Sequence, residues 1–199
     1  RLIDSILQVG LDHEALYTLL GAIKPMSSLA SFSFPLDDTS KHHVASGHRL
    51  SVDHQPYLDS LRRIQSALNA LDLPDLRFVL TPYKRTFNGN RHIQVNVIRV
   101  SLLDSLLEAE QDFFGHFGLV PGADPGVVLN TIEYEEAYKR WRGYGYLFGY
   151  PPYAVDFFVE AGHREQTEGK FVERDFFAIS VHTRSDGSFF FSTPNGCQL

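Results

Sequence analysis

The stretch Glu133–Gly162, EYEEAYKRWRGYGYLFGYPPYAVDFFVEAG, is the most aromatic part of the chain, with charged residues between its rings. We read it from Ile132 to Phe148 as a helix, at about 100° per residue. Its apolar side chains then share one stripe, which is typical of a helix that packs against a core. The stripe holds Tyr134, Ala137, Tyr138, Trp141, Gly145 and Phe148, with Tyr144 at its edge.

Gly149 and the pair Pro151-Pro152 predict where this helix ends and a second one begins. Glycine ends helices readily, and proline suits the first turn of a new helix. In the second helix Ala154, Val155, Phe158, Val159 and Gly162 are expected to face inward. The sequence therefore predicts an aromatic helical hairpin over 133–162.

The tyrosines of this hairpin have two interpretations. They are either core residues or the wall of a pocket, because tyrosine combines an apolar ring with a polar tip. The pocket hypothesis takes as its ligand-binding residues Tyr144, Tyr146, Tyr150 and Tyr153.

Charged residues flank the aromatic stripe. Glu133, Glu136 and Arg140 share one flank, and Glu136 and Arg140 have the i,i+4 spacing of a stabilising ion pair. We expect this flank to be solvated.

Glu110 stands out in the preceding helix, which is predicted from an N-cap at Ser101 to about Phe117. It falls in the middle of an arc of leucines and phenylalanines. Burying an uncompensated carboxylate costs several kcal/mol. Glu110 is therefore expected to be paired, for example with Arg140, either as a structural salt bridge or as a polar anchor for a ligand.

Two β-hairpins are predicted. The first joins strands at 76–83 and 92–100 through Asn88-Gly89, a strong hairpin signal. Its polar face, with Gln94 and Asn96, is expected to face solvent rather than a ligand. The second joins 171–183 to 188–192, with part of the longer strand central in the sheet and a tail from Thr193.

The remaining segments follow from periodicity and from proline and glycine. Helices are predicted at 11–24, with Asp12 as N-cap, and at Gln55–Leu71; a strand is predicted near 29–34. Residues 37–54 read as a polar, histidine-rich loop, 118–126 as a loop and 165–170 as a polar connector. The loop carries His42, His43, His48 and His54, whose irregular spacing favours a solvent-exposed segment over a metal site.

The order of elements predicts an α+β fold. We expect one domain over 1–199, with about five helices packed on an antiparallel or mixed sheet built from the two hairpins. A chain of 199 residues is long enough for a proper core.

Composition excludes several classes of protein. A net charge of −6 without a basic cluster argues against nucleic-acid binding. The single cysteine, Cys197, excludes an internal disulfide framework and a cysteine-based zinc site. No apolar run is long enough to span a membrane. Because the chain begins at Arg1 rather than Met, we expect an upstream segment, so a cytoplasmic or an exported location stays open.

No nucleophile elbow, phosphate-binding loop, dinucleotide fingerprint or zinc-protease motif is present in the sequence. Cofactors and oligomeric state therefore stay open, and three hypotheses of function remain. The first is a domain that binds a small organic ligand in an aromatic pocket anchored by Glu110 and Arg140. The second is a metal- or carboxylate-dependent hydrolase using Glu110, Glu133, Glu136 and either His116 or His163. The third is a purely structural domain or one that binds a protein partner through exposed tyrosines.

Overall fold

The computed structural model describes residues 2–36, 53–181 and 187–196, and their side chains except at 179–191. It confirms the α+β class, with eight α-helices among the described residues. The helices are α1 Leu2–Asp12, α2 Leu16–Leu19, α3 Gln55–Asn69, α4 Val100–Ala109, α5 Gln111–Phe114, α6 Pro125–Tyr134, α7 Ala137–Leu147 and α8 Pro152–Glu168. The strands are β1 Met26–Pro35, β2 Leu76–Phe87, β3 Asn90–Arg99, β4 Arg174–Val181 and β5 Gly187–Pro194.

The main sheet has three antiparallel strands in the order β1-β3-β2. The predicted first hairpin is confirmed. Asn88 and Gly89 form its turn with φ of 49° and 72°, a region that glycine and asparagine tolerate better than other residues. β3 is the central strand, which explains why it is buried on both faces.

Two apolar clusters lie on opposite faces of this sheet, because alternate residues of β3 point in opposite directions. The α3-side cluster contains Ile6, Ala15, Leu19, Leu29, Ile64, Leu68, Leu76, Val95 and Val97. The α6-side cluster contains Met26, Ile98, Leu103, Leu107, Phe114, Leu119, Val128, Leu129, Ile132, Tyr146, Leu147 and Val155.

The polar face of β3 was predicted to be solvated, and this is wrong. Asn96 is 1% exposed and Gln94 is 8% exposed. Asn96 donates to Thr81 Oγ1 at 3.1 Å and accepts from Ser28 Oγ at 3.2 Å, so the burial of its amide is compensated by hydrogen bonds to both neighbouring strands. α6 packs against β2 and covers this part of the sheet.

The predicted helix at 11–24 is wrong in its boundaries. α1 ends at Asp12, the residue expected to begin a helix, and only the four residues of α2 follow. Gly10 explains the contact between α1 and β1, because a Cβ there would lie 2.2 Å from Leu29 Cδ2. The strand near 29–34 is confirmed within the longer β1.

The predicted helix at 101–117 is broken. Arg99, not Ser101, is the N-cap of α4, and the helix ends at Ala109. Glu110, with φ −107° and ψ 37°, separates α4 from the short α5, and a 3-10 turn at Gly115–Phe117 follows.

The predicted helix from Ile132 to Phe148 is also broken, at Glu135 and Glu136, whose extended backbone separates α6 from α7. α6 begins inside the predicted loop 118–126, with Asp124 as N-cap accepting from the Gly126 and Val127 amides. α8 extends through most of the predicted connector 165–170.

The second hairpin forms a separate two-stranded sheet, so the two hairpins do not join in one sheet as predicted. The central position predicted for part of β4 is therefore wrong, and Phe176 on it is 65% exposed. The predicted tail begins too early, since Thr193 belongs to β5 and is fully buried. The turn predicted at 185–187 lies largely outside the described residues.

Most of the histidine-rich segment, including His42, His43 and His48, lies outside the described residues. His54 is described, and it is buried rather than solvent-exposed. Its Nε2 lies 2.8 Å from the Pro35 carbonyl oxygen and its ring stacks on Phe34, at the start of α3. α3 itself confirms the predicted helix, ending two residues earlier than expected.

Candidate functional site

A cavity of about 320 Å³ lies between α7, α8 and the hairpin of β4 and β5. Apolar and aromatic side chains form nearly all of its wall. They are Trp141, Tyr144, Gly145 and Phe148 of α7 and its C-cap, Tyr150, Ala154, Val155 and Phe158 of the following segment and α8, and Phe176 and Ser192 of the hairpin. We call this space the aromatic cavity.

Glycines let α7 and α8 approach closely beside the aromatic cavity. A Cβ on Gly145 would lie 2.8 Å from Val155 Cγ2, and one on Gly162 would lie 2.7 Å from Trp141 Cζ3. Gly149 follows α7 with φ of 77°, and Pro152 occupies the first turn of α8. The predicted helical hairpin is thereby confirmed for α7 and α8, with a cavity along its surface.

Ser192 is the one serine or threonine among the residues that line this cavity. It is 7% exposed, and its Oγ is buried without a hydrogen-bond partner within the described part of the chain. A buried hydroxyl without a partner is uncommon, because leaving it unpaired costs free energy.

Glu133 is a buried carboxylate beside the aromatic cavity, only 5% exposed. Its Oε1 accepts from the Lys84 amide at 2.7 Å, and its Oε2 accepts from the Tyr144 hydroxyl at 2.8 Å. These bonds tie the end of α6 to β2 and to α7. Burial raises the pKa of Tyr144, and the hydrogen bond and charge of Glu133 raise it further.

A second, more open cavity of about 300 Å³ shares Tyr144 and Phe148 with the aromatic cavity. The rest of its wall is mainly polar or charged: Tyr83, Arg85, Glu133 and Arg140. We call it the charged cavity. Burial raises the pKa of the Tyr83 phenol, and the charge of Glu133 adds to this shift.

The structure distributes the tyrosines proposed as ligand-binding residues among different environments. Tyr144 and Tyr150 line the aromatic cavity. Tyr146 instead packs in the α6-side cluster, where its ring meets Phe113 and its hydroxyl accepts from Arg142. Tyr153 is 46% exposed and is not part of the cavity wall.

The expected pair of Glu110 and Arg140 does not form. Glu110 lies half-buried at the junction of α4 and α5, and its side chain has no hydrogen bond or ion pair with any described residue. A helical projection of residues 101–117 placed Glu110 in the apolar arc, because that projection assumed an unbroken helix. Arg140 lines the charged cavity, and the expected ion pair with Glu136 is also absent from the described residues.

The buried carboxylate of this region is therefore Glu133, which the sequence analysis assigned to a solvated flank. A signal for its burial exists in the sequence. Asp124-Pro125 is an N-cap followed by a proline in the first turn, and a helix begun there aligns Glu133 with Leu129 and Ile132. The ligand-binding residues named from the sequence also left out four residues of the cavity wall. Trp141 and Phe158 were assigned to the inward faces of the helical hairpin, and only the fold brings Phe176 and Ser192 of the second β-hairpin to α7 and α8.

Two further findings concern the described residues. None of their helices has the length and apolar character needed to cross a bilayer. No three of their histidine, cysteine, aspartate or glutamate side chains are grouped so that they could hold one metal ion.

Comparisons with models of protein families, with curated proteins and with solved structures give no match to this chain.

Proposed function

We propose that the protein is a binding domain that holds a small organic ligand in the aromatic cavity. The observation that carries the proposal is a space of about 320 Å³ whose wall is almost entirely apolar and aromatic. Ligand sites are typically apolar spaces of roughly 300–1,000 Å³ with few polar groups that orient the ligand. A volume at the low end of this range favours a compact ligand.

The wall supports recognition of an apolar or aromatic group. Trp141 packs edge-to-face with Phe158, and Tyr144 stacks on Phe148. Aromatic rings provide large apolar contact areas with little loss of side-chain entropy. Trp141 is also the only tryptophan of the chain, so its fluorescence reports directly on this cavity.

The proposal is tested with N-phenyl-1-naphthylamine, an uncharged probe whose emission rises in an apolar site. We expect saturable binding at one site, with a change in Trp141 fluorescence. Phe158→Ala should weaken binding by about 10-fold, because removing a large apolar contact costs on the order of 1.5 kcal/mol. Phe87→Ala is the matched control, since Phe87 is 67% exposed on β2 and does not line the cavity. Equal affinities for both variants and the unaltered protein would contradict the proposal.

One observation favours a protein-binding function instead. Phe158 and Phe176 line the cavity and remain 45% and 65% exposed, so the rim presents apolar surface to a partner. Size-exclusion chromatography with light scattering separates the two functions. A stable dimer that Phe176→Ser disrupts would favour the interface, and a monomer that binds the probe would favour the ligand site.

A further inference from the structure

The charged cavity adjoins the aromatic cavity through a common wall. The rings of Tyr144 and Phe148 border both spaces, with their centroids 5.9 Å apart and their planes inclined by 23°. Tyr144 directs its hydroxyl to Glu133, which lines the charged cavity. A molecule in the aromatic cavity therefore lies next to a charged compartment.

The carboxylate in this compartment is already engaged. One oxygen of Glu133 accepts from the Lys84 amide and the other from the Tyr144 hydroxyl. The Lys84 ammonium is also engaged, since it donates to the carbonyl oxygens of Tyr134 and Glu135. These contacts hold α6, α7 and β2 together. The other charged side chains that line the cavity are the guanidinium groups of Arg85 and Arg140.

Arg85 and Arg140 both line the charged cavity, and neither side chain has an ion pair or hydrogen bond with any residue that the structure describes. Some other arginines are paired with carboxylates: Arg99 with Asp75, Arg142 with Asp156 and Arg174 with Glu165. Within the described residues, the charged cavity therefore has two guanidinium groups without a carboxylate partner, in a chain whose net charge is −6. Guanidinium binds carboxylate and similar oxyanions through parallel hydrogen bonds.

We infer that the ligand is a small amphipathic anion, with its apolar body in the aromatic cavity and its anionic group held by Arg140 and Arg85. This inference rests on the proposed function, because it requires the aromatic cavity to be a ligand site. It adds the class of ligand and assigns Arg140 as the residue that selects for charge. Arg140 is half-buried, whereas Arg85 is exposed, so Arg140 makes the larger contribution.

The test uses three compounds with the same ten-carbon chain and different head groups: decanoate, 1-decanol and decyltrimethylammonium. Each is titrated below its micellar concentration, with Trp141 fluorescence as the signal. We expect decanoate to bind about 10-fold more tightly than 1-decanol, as charge-assisted hydrogen bonds allow. Decyltrimethylammonium should bind more weakly than either. Added salt should weaken decanoate binding and leave 1-decanol binding unchanged.

Substitutions assign the preference to the charged cavity. Arg140→Gln should remove most of the preference for decanoate while preserving the affinity for 1-decanol, which also shows that the variant is folded. Arg85→Gln should reduce the preference by a smaller factor. The matched control is Arg63→Gln, because Arg63 is exposed on α3 and does not line either cavity.

The outcomes separate this inference from the proposed function. Equal binding of decanoate and 1-decanol, or a preference for decyltrimethylammonium, would overturn the anion inference while the ligand site stands. Absence of binding for all three compounds and for N-phenyl-1-naphthylamine would overturn both. Anionic lipids present the same chemistry in a bilayer, so sedimentation with phosphatidylglycerol vesicles that Arg140→Gln abolishes would assign the site to a membrane surface and overturn the inference of a free ligand.

Discussion

Glu133 joins three elements through one side chain, because its two oxygens accept from the amide of β2 residue Lys84 and from the hydroxyl of α7 residue Tyr144. Glu133→Ala leaves both donors, the Lys84 amide and the Tyr144 hydroxyl, without a partner in a partly buried place. We expect the free energy of unfolding to fall by about 2–4 kcal/mol, since each unsatisfied buried group costs on the order of 1–3 kcal/mol.

The measurement for Glu133 is denaturation in urea, with Glu136→Ala as the matched control. Glu136 is exposed and its side chain makes no capping hydrogen bond, so its loss should change stability by less than about 0.5 kcal/mol. Glu133→Gln retains an acceptor for Lys84 and should fall between the two. Equal stabilities of Glu133→Ala and Glu136→Ala would show that the buried bonds contribute nothing.

Tyr144 gives a pH dependence whose sign follows from its environment. Its pKa in the folded protein lies above the ordinary value of 10.0, chiefly through burial. The unfolded chain therefore loses this proton first, and the stabilisation is fully present below about pH 10 and is lost as the pH rises through the folded pKa. Tyr144→Phe should cost about 1–3 kcal/mol at neutral pH, because Glu133 loses a donor.

The difference in stability between the unaltered protein and Tyr144→Phe should accordingly shrink above pH 10. Urea denaturation of both proteins at pH 8, 10 and 11 measures this difference, and titration of the other tyrosines cancels in the comparison. A difference that grows with pH would contradict the assigned environment of Tyr144.

Single residues also explain which parts of the site the sequence could predict. Tyr144 and Tyr150 line the aromatic cavity, and glycine and proline signals in the sequence define the helical hairpin that carries them. Glu110 and Glu133 were assigned to the wrong environments because both lie where a helix begins or ends. A helical projection carried across a break assigns later residues to the wrong face, and the break at Glu135–Glu136 has no proline or glycine to mark it.

At the scale of elements, close helix contacts depend on glycine. Gly143 on α7 faces α6, and a Cβ there would lie 2.6 Å from Ile132 Cγ2 and 2.9 Å from Ile132 Cδ1. Gly143→Ala therefore forces α6 and α7 apart or moves a fully buried isoleucine. We expect destabilisation of about 1–3 kcal/mol, the usual cost of overpacking.

The control for Gly143 is Gly115→Ala. Gly115 has helical φ and ψ of −63° and −27°, and a Cβ there would meet nothing within 4 Å. Alanine at such a position should be neutral or stabilising by up to about 1 kcal/mol, because it restricts the unfolded chain. Thermal unfolding followed by circular dichroism compares the two variants, and equal melting temperatures would contradict the contact between α6 and α7.

The elements were predictable to different degrees for physical reasons. The first β-hairpin and α3 have complete local signals, namely Asn-Gly with alternating strands and a regular apolar period. The burial of Asn96 was not predictable, because α6, which covers that face, comes from a distant part of the chain. The aromatic cavity likewise depends on the second hairpin meeting α7 and α8, a contact without a local signal.

At the scale of the whole molecule, β3 connects the two apolar clusters. Val95 and Val97 belong to the α3-side cluster, and Ile98 belongs to the α6-side cluster, all three fully buried. Because this one strand contributes side chains to both clusters, a loss of packing on one face also disturbs the strand that supports the other. We therefore expect the chain to unfold as one cooperative unit, in keeping with the prediction of a single domain over 1–199.

Leu68→Ala tests this coupling from the side opposite the aromatic cavity. Leu68 is 2% exposed on α3, so its truncation should lower the free energy of unfolding by about 2–5 kcal/mol. Trp141 lies on α7 beside the aromatic cavity, and its fluorescence reports on that part alone. If the clusters are coupled through β3, the urea midpoints from Trp141 fluorescence and from far-ultraviolet circular dichroism should shift together. A fluorescence midpoint that stays in place while the circular dichroism transition splits would mean that the helices around the aromatic cavity fold independently of the α3-side cluster.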